Sequence, residues 1–484
     1  MAGRFLSADQ ADTVEGSLGD GLTAAMIRRV PLAESAFWLL RVACDPERLG
    51  SLWDRFRGRG YERIITFATM VQLVSDALLC YRGSGRRTFE THIAENRLEA
   101  SVAAAFGKLG RLPLPVTLAF LEETTASVRS LLVPANLTDP PASLRAFHPV
   151  VIDGKVVKRV EKRLKPTRTS SGGLIGGKSL VALDGRTGLA VAMEAHPDGD
   201  HSERNLLPGL LERVRRIIPA IRLVIADQYF GNLVQVEQFT ENDDHFVLRL
   251  HTSVKFYADP KRSPQTGRDA EGRTVIETWG IAGSEGNRRR RPLRRIELIR
   301  PGEPTITLIT DLEDADVYPA ADLLTAYRNR HDIERVFQQT TEVFGLTRLI
   351  GTSPLAGLFQ FSFCLLLYNI VQILRGGIAE AAERPAERIS SEKLFDDVRD
   401  QLNAWRVMIP SDRTEAYFAT LTDIPRLQRH LKTILANVWN PTWTKSPSRP
   451  QRKVEHKTTR RTHHSIQRLL DAAKPAKKQP RKNE

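Results

Sequence analysis

A chain of 484 residues, 41% of them hydrophobic, has material for two to four domains with buried cores. Its net charge of +14 suits a polyanionic partner, although 13 Lys/Arg against 3 Asp/Glu between Lys445 and Glu484 supply +10 of it. Three distant cysteines, Cys44, Cys80 and Cys364, with no Cys-x-x-Cys pair, argue against a disulfide scaffold and a cysteine zinc site. Met1-Ala2-Gly3-Arg4-Phe5 starts no signal peptide. The most apolar run, Leu358 to Leu374, is broken by Gln360, Asn369 and Gln372, which fits a buried helix better than a membrane span. The expectation is a cytoplasmic protein without membrane association.

In chain order, residues 1–145 read as a helical N-terminal domain. Ala33–Val42, Tyr61–Leu79 and Leu98–Leu109 carry apolar residues at helical spacing, punctuated by Gly83-Ser84-Gly85 and Leu112-Pro113-Leu114-Pro115. Such a domain suits DNA-end binding or plain scaffolding. Pro140-Pro141 marks a boundary. Val150-Val151-Ile152 then suits a buried strand that delivers Asp153, with Gly154 free to turn the backbone near a ligand. Ser179–Leu183 and Leu189–Met193 read as a hairpin about Asp184–Gly188. Arg204–Ile218 follows as an amphipathic helix. Ile221–Ala226 is a strand ending at Asp227, Leu233–Phe239 a helix and Phe246–Leu250 a fifth strand.

Three antiparallel strands, a helix, a strand, a helix and a strand is the element order of a ribonuclease H-like domain. The expected fold class is therefore mixed α/β, with residues 146–250 as the first part of that core. Residues 251–304 read as a β-rich insertion folded on its own, with strands near Lys255–Tyr257, Thr274–Trp279 and Arg295–Ile299. Residues 305–375 complete the core, 376–440 form a helical C-terminal region, and 441–484 are a basic tail of disorder-prone composition.

The segment Tyr327–Phe337 reads as one helix, with Tyr327, Arg330 and Glu334 on one face and Ile333, Val336 and Phe337 on the buried one. Alone, it would pass for a surface salt-bridge stripe. Likewise Asp153 alone would pass for a turn residue and Asp227 for a helix cap. All three at the topological places of a ribonuclease H-like acidic site point instead to phosphodiester chemistry. Two Mg²⁺ ions about 3.5–4 Å apart can serve nucleophile and leaving oxygen, and hard carboxylate oxygens suit them. Asp153 is the expected bridging ligand, with Asp227 and Glu334 each completing one metal.

Val151-Ile152-Asp153-Gly154, Val224-Ile225-Ala226-Asp227-Gln228-Tyr229-Phe230 and the Tyr327 segment resemble the insertion-sequence DDE transposases. More narrowly they resemble the IS-four group, whose signature is Tyr-(2)-Arg-(3)-Glu-(6)-Lys. Tyr327, Arg330 and Glu334 match; Thr341 stands in the lysine place, leaving Arg335 or Arg348 as substitutes. The likeness covers about residues 146–375. It implies cut-and-paste transposition: metal-dependent strand cleavage at transposon ends, then attack of the freed 3′-hydroxyl on a second phosphodiester. It also implies Mg²⁺ with Mn²⁺ as substitute, double-stranded terminal inverted repeats and target DNA as partners, a homodimer in the DNA complex, and a bacterial, nucleoid-associated setting.

Under that resemblance Arg330 grips a phosphate with its bidentate fork and Tyr327 sits beside it. Trp279 is the candidate for stacking on a flipped base, against a plainer role as a plug between strands. Lys155, Lys158 and Arg159 open a stretch with seven Lys/Arg against Glu161 alone, and Arg288, Arg289, Arg290 and Arg291 head another with six arginines in eight residues. Both are expected phosphate contacts. Gly172-Gly173 and Gly176-Gly177 read as a flexible hairpin. Two other readings stay open: a transposase-derived DNA-binding regulator without catalysis, which Thr341 favours, and a ribonuclease H-like nuclease without strand transfer.

Overall fold

A computed structural model describes residues 21–132, 139–158, 164–269, 271–344, 346, 348–409, 411–419, 421, 423–445 and 463–474. Among the described residues seven helices come first: α1 (Gly21–Ile27), α2 (Pro31–Ala43), α3 (Pro46–Phe56), α4 (Phe67–Leu79), α5 (Gly85–Ala94), α6 (Val102–Leu109) and α7 (Leu114–Leu131). The Leu112–Pro115 punctuation starts α7 rather than only ending α6. Proline is tolerated in a first turn, where its missing N–H has no partner to lose. Thr66 caps α4, accepting from the Thr69 N–H at 3.1 Å.

The core follows as β1 (His148–Lys158), β2 (Gly173–Asp184), β3 (Ala190–His196), α8 (Glu203–Ile217), β4 (Arg222–Ala226), α9 (Leu233–Phe239) and β5 (His245–Arg249). Next come β6 (Phe256–Ala258), β7 (Gln265–Arg268), β8 (Thr274–Ala282), β9 (Arg291–Leu298) and β10 (Ile306–Thr310). The helices α10 (Ala320–Arg328), α11 (His331–Glu342), α12 (Pro354–Ala381), α13 (Ser391–Met408), α14 (Ser411–Ala419) and α15 (Ile424–Leu435) lead to β11 (His463–Ser465) and α16 (Ile466–Ala472).

The central order is β3-β2-β1-β4-β5, with β1, β2 and β3 antiparallel and β1, β4 and β5 parallel. This is the expected mixed α/β, ribonuclease H-like arrangement. Ile152 lies opposite Ala226 across the parallel pair, so Asp153 and Asp227 follow it side by side. The apolar runs at 150–152 and 223–226 are fully covered on both faces, as parallel strands require.

Three expectations are corrected. The β-rich segment does not fold on its own. β10 pairs with both β5 and β9, so β8 and β9 extend the core sheet. The glycines at 173, 176 and 177 lie within β2 rather than in a flexible hairpin. A Cβ on Gly177 would stand 2.6 Å from Leu358, so the bare backbone lets α12 lie close on the sheet. Within the basic tail, β11 pairs in parallel with the start of β2, and Ile466 packs on Leu174.

α12 is long and apolar enough to cross a membrane, yet its whole apolar window is buried inside the fold, as its interrupting polar residues led us to expect. Gln360 and Asn369 use both ends of their amides. Gln360 donates to Arg348 O at 2.9 Å and accepts from Ile350 N at 2.8 Å. Asn369 brackets Ala190 of β3, accepting from its N–H at 2.9 Å and donating to its carbonyl at 2.8 Å.

Candidate active site

Asp153 stands on β1, facing α11. Its carboxylate accepts from the Gly154 N–H at 2.8 Å and lies 3.5 Å from an Arg330 guanidinium nitrogen. Burial pushes its pKa up to about 6. The Gly154 N–H opposes this, the neighbouring charges of Asp227 and Glu203 add to it, and Arg330 partly offsets them. Asp227 ends β4, and its carboxylate caps the short turn Gln228–Phe230 by accepting from the Tyr229 N–H at 2.9 Å. The cap reading of Asp227 is thus also true; it leaves the carboxylate at the strand end beside Asp153.

Tyr327, Arg330 and Glu334 do not share one regular helix. α10 ends at Arg328 and α11 begins at His331. Arg330, Asp332 and Ile333 donate to carbonyls three residues back. This tighter 3₁₀ winding turns each residue by about 120° rather than 100° and so re-aims the side chains that follow. Tyr327 is buried, and burial holds its phenol above the usual range. Arg330 is buried, with its guanidinium carbon 5.7 Å from the Tyr327 ring centre. It donates to Glu334 at 2.8 Å while facing Asp153. Glu334 is half exposed. Burial opposes its ionisation, but hydrogen bonds from His331 and Arg330 outweigh it and keep the carboxyl below the usual range.

Arg330 therefore lies between the two acidic partners expected to meet at a metal. Among the described residues no group of three or more His, Cys, Asp or Glu side chains is gathered to hold a metal ion. Of the three acids expected to meet, Asp153 and Asp227 are neighbours here, while Glu334 is turned onto Arg330. A carboxylate raised in pKa by burial, and further by the like charges of Asp227 and Glu203, is nonetheless a fit for a divalent cation, whose charge favours the ionised form.

Gly154 does not turn the chain. It continues β1 opposite Leu180, and the carboxylate of Glu203, from the first turn of α8, fills the place its Cβ would take. Lys178 of β2 pairs with Glu203 at 3.0 Å. Sequence reasoning missed both residues. The signal was the Gly next to Asp153, read as a turn rather than as room for a neighbour. Gly154→Ala should push Glu203 aside and disturb Asp153, lowering activity by about tenfold or more. Removing the crowding in Gly154→Ala/Glu203→Ala should recover part of the loss in the same assay, and no recovery would discard this packing account.

Lys155 alternates with Asp153 onto the same face of β1. Its ammonium donates to Thr341 Oγ1 at 2.8 Å and to Phe337 O at 3.4 Å. A cation thus stands at the place where the signature has lysine, supplied by the strand. The expected substitutes are elsewhere: Arg335 pairs with Asp332 at 2.9 Å, and Arg348 reaches Arg82 O at 3.5 Å. Lys158 closes β1, and Arg159 lies outside the described residues. Of the 288–291 run, Arg288 and Arg290 are exposed, whereas Arg289 pairs with Glu237 at 2.7 Å and Arg291 donates to Thr240 at 3.1 Å. Those two fasten the β8–β9 turn to α9.

Trp279 is corrected from a base-stacking candidate to a plug. It is buried in β8, donates to Glu313 O at 2.7 Å, and is covered by Arg262 at 3.5 Å from the ring centre.

Residues 148–370 match the family model described as Transposase DDE domain. The match spans 223 of the 484 residues. It begins at the first residue of β1, ends within α12 and includes Asp153, Asp227 and Glu334. A solved piggyBac transposase chain, from a cryo-EM structure of its synaptic complex with hairpin DNA, aligns with 90% of this chain and 81% of its own at 12% identity and a TM-score of 0.34. Among curated proteins no match to this chain is found.

Proposed function

We propose that this protein is a DNA transposase of the cut-and-paste kind, which cleaves DNA at transposon ends and joins the freed 3′-ends to a target. The observation that carries the reading is the placement of Asp153 and Asp227 side by side on adjacent parallel strands inside a segment that matches a transposase DDE domain, with Arg330 linking Asp153 to Glu334. Asp153 and Asp227 would hold divalent metal, Mg²⁺ or Mn²⁺, and Glu334 would join them on leaving Arg330. Bound cations supply activation of the nucleophile and charge neutralisation at the leaving oxygen.

The chain's own groups do the rest. Arg330, freed from the carboxylates, presents a fork that suits a phosphate of the cleaved strand. Tyr327 walls that phosphate in, and Lys155 adds a point charge at the other end of α11. Arg288 and Arg290 sit on an exposed turn where duplex phosphates can reach them. The partners in this reading are the terminal inverted repeats and target DNA, and the working form is a homodimer.

Incubating the protein with DNA carrying its element's terminal repeats and Mg²⁺ tests the proposal. Cleavage with joining supports it. Binding without cleavage would favour a regulator, and cleavage without joining a simple nuclease. Lys155→Ala is expected to weaken DNA binding across all sequences and to reduce the slope of log K against log salt by about 1. An unchanged slope in a salt titration would remove Lys155 from the DNA contacts.

A further inference from the structure

Tyr229 stands two residues beyond Asp227 and is exposed over 38% of its surface. Among the described residues the other aromatic rings so exposed are Tyr61, in the loop before α4, and Tyr257, in β6. The Tyr229 ring is firmly placed. Its N–H donates to the Asp227 carboxylate at 2.9 Å, its hydroxyl lies 3.1 Å from Ser202 Oγ, and its carbonyl accepts from Arg204 Nε at 3.0 Å. The buried Phe230 meets it edge-on, with ring centres 5.6 Å apart. The phenol is thus fixed relative to Asp227, and so relative to any strand that the acidic pair would cut.

Arg204 does more than hold the backbone. Its guanidinium carbon lies 4.2 Å from the Tyr229 ring centre, a cation–π contact. Among the described residues no carboxylate pairs with it, and the preceding Glu203 is taken by Lys178 at 3.0 Å. A flat phenol beside a flat guanidinium, open to solvent next to Asp227, narrows the occupant. A free anion fits poorly, because Asp153, Asp227 and Glu203 crowd the same place with negative charge. An aliphatic side chain would cover the guanidinium without offering it an acceptor. A nucleobase is neutral, flat and polarisable, so it stacks on both groups. Bases inside a duplex have both faces covered by their neighbours. The base taken here is therefore an unpaired one.

We infer that Tyr229 and Arg204 form a stacking platform for an unpaired nucleobase next to the scissile phosphate, and so make the protein favour DNA that is opened there. The inference rests on the DNA-cutting reading above. The ring binds the strand and steers it past Asp227; it takes no part in breaking the bond. Every base has a stackable face, so the contact tolerates sequence.

The test uses the full chain and DNA carrying its element's terminal repeat, opened by mismatches at the tip of the repeat, with 5-iododeoxyuridine in the unpaired positions. On irradiation this base couples to an aromatic ring stacked on it. Peptide mapping should find the cross-link at residue 229 in the parent and in Tyr229→Phe, and not in Tyr229→Ala. Tyr229→Ala should also lower the preference for opened over fully paired DNA by about fivefold or more, the low end of what one base–aromatic stack supplies. Tyr229→Phe should keep that preference. A preference unchanged in Tyr229→Ala, or a parent that binds the DNA and cross-links only elsewhere, overturns the platform and leaves the transposase reading standing. A parent that cross-links at Tyr229 yet cuts nothing with Mg²⁺ keeps the platform as a DNA contact and removes the strand-cutting reading. Failure to bind this DNA at all removes both.

Discussion

Asp153→Asn is expected to abolish DNA cleavage, by on the order of 10³-fold or more, while leaving end binding intact. The amide keeps the size and the Gly154 contact but loses the charge that a divalent cation needs. Gel-shift and cleavage assays on the same DNA check both halves, and full activity would remove Asp153 from the site. The same variant carries a stability signature. Folding raises the Asp153 pKa from 3.8 to about 6, so between those values the native chain holds more protons than the unfolded chain. Without divalent cations, stability therefore falls as pH climbs from about 4 to about 6 and stays lower above that. Asparagine removes the penalty. Asp153→Asn should be more stable than the parent at pH 8 by up to about 2–3 kcal/mol, and no more stable below pH 4. Melting curves at the two pH values report this, and Mg²⁺ should stabilise the parent and not the variant.

Asn369→Leu is expected to cost about 2–5 kcal/mol, a large share of the roughly 5–15 kcal/mol that holds a domain folded. Leucine has similar volume, so packing is not the main loss. The Ala190 N–H would be left dry inside the fold, and the Ala190 carbonyl would keep only the longer bond from Thr125 Oγ1 at 3.4 Å. Thr125 Oγ1 would lose the bond it accepts from Asn369 at 2.9 Å. One side chain thus ties α12, β3 and α7 together. Denaturant titration checks the figure, and a cost below about 1 kcal/mol would mean the sheet edge finds other partners.

How much was legible depended on whether a feature was local. Val150–Ile152 and Arg222–Ala226 announced themselves as buried strands because continuous apolar runs have few other uses, and the acids after them followed. The Leu358–Leu374 helix was legible for the same reason. The break at Asn329–Arg330 was not, since both residues keep right-handed helical angles and only the hydrogen-bond spacing tightens. The union of β9 with β10 was hidden because pairing partners leave no mark on a strand's own sequence. Glu203 was out of reach for a different reason. It approaches Asp153 from another strand-and-helix unit, and only the absent side chain of Gly154 recorded its presence.

The enclosed α12 also bears on how the chain is made. Its 28 residues, with a mean hydropathy of 1.7 over the apolar window, are covered partly by α13 and α15, which are synthesised later. A nascent polypeptide emerging as far as Ala381 can already lay this oily segment on α7 and β2, but the part of its surface that α13 and α15 seal has to wait for residues still to be made.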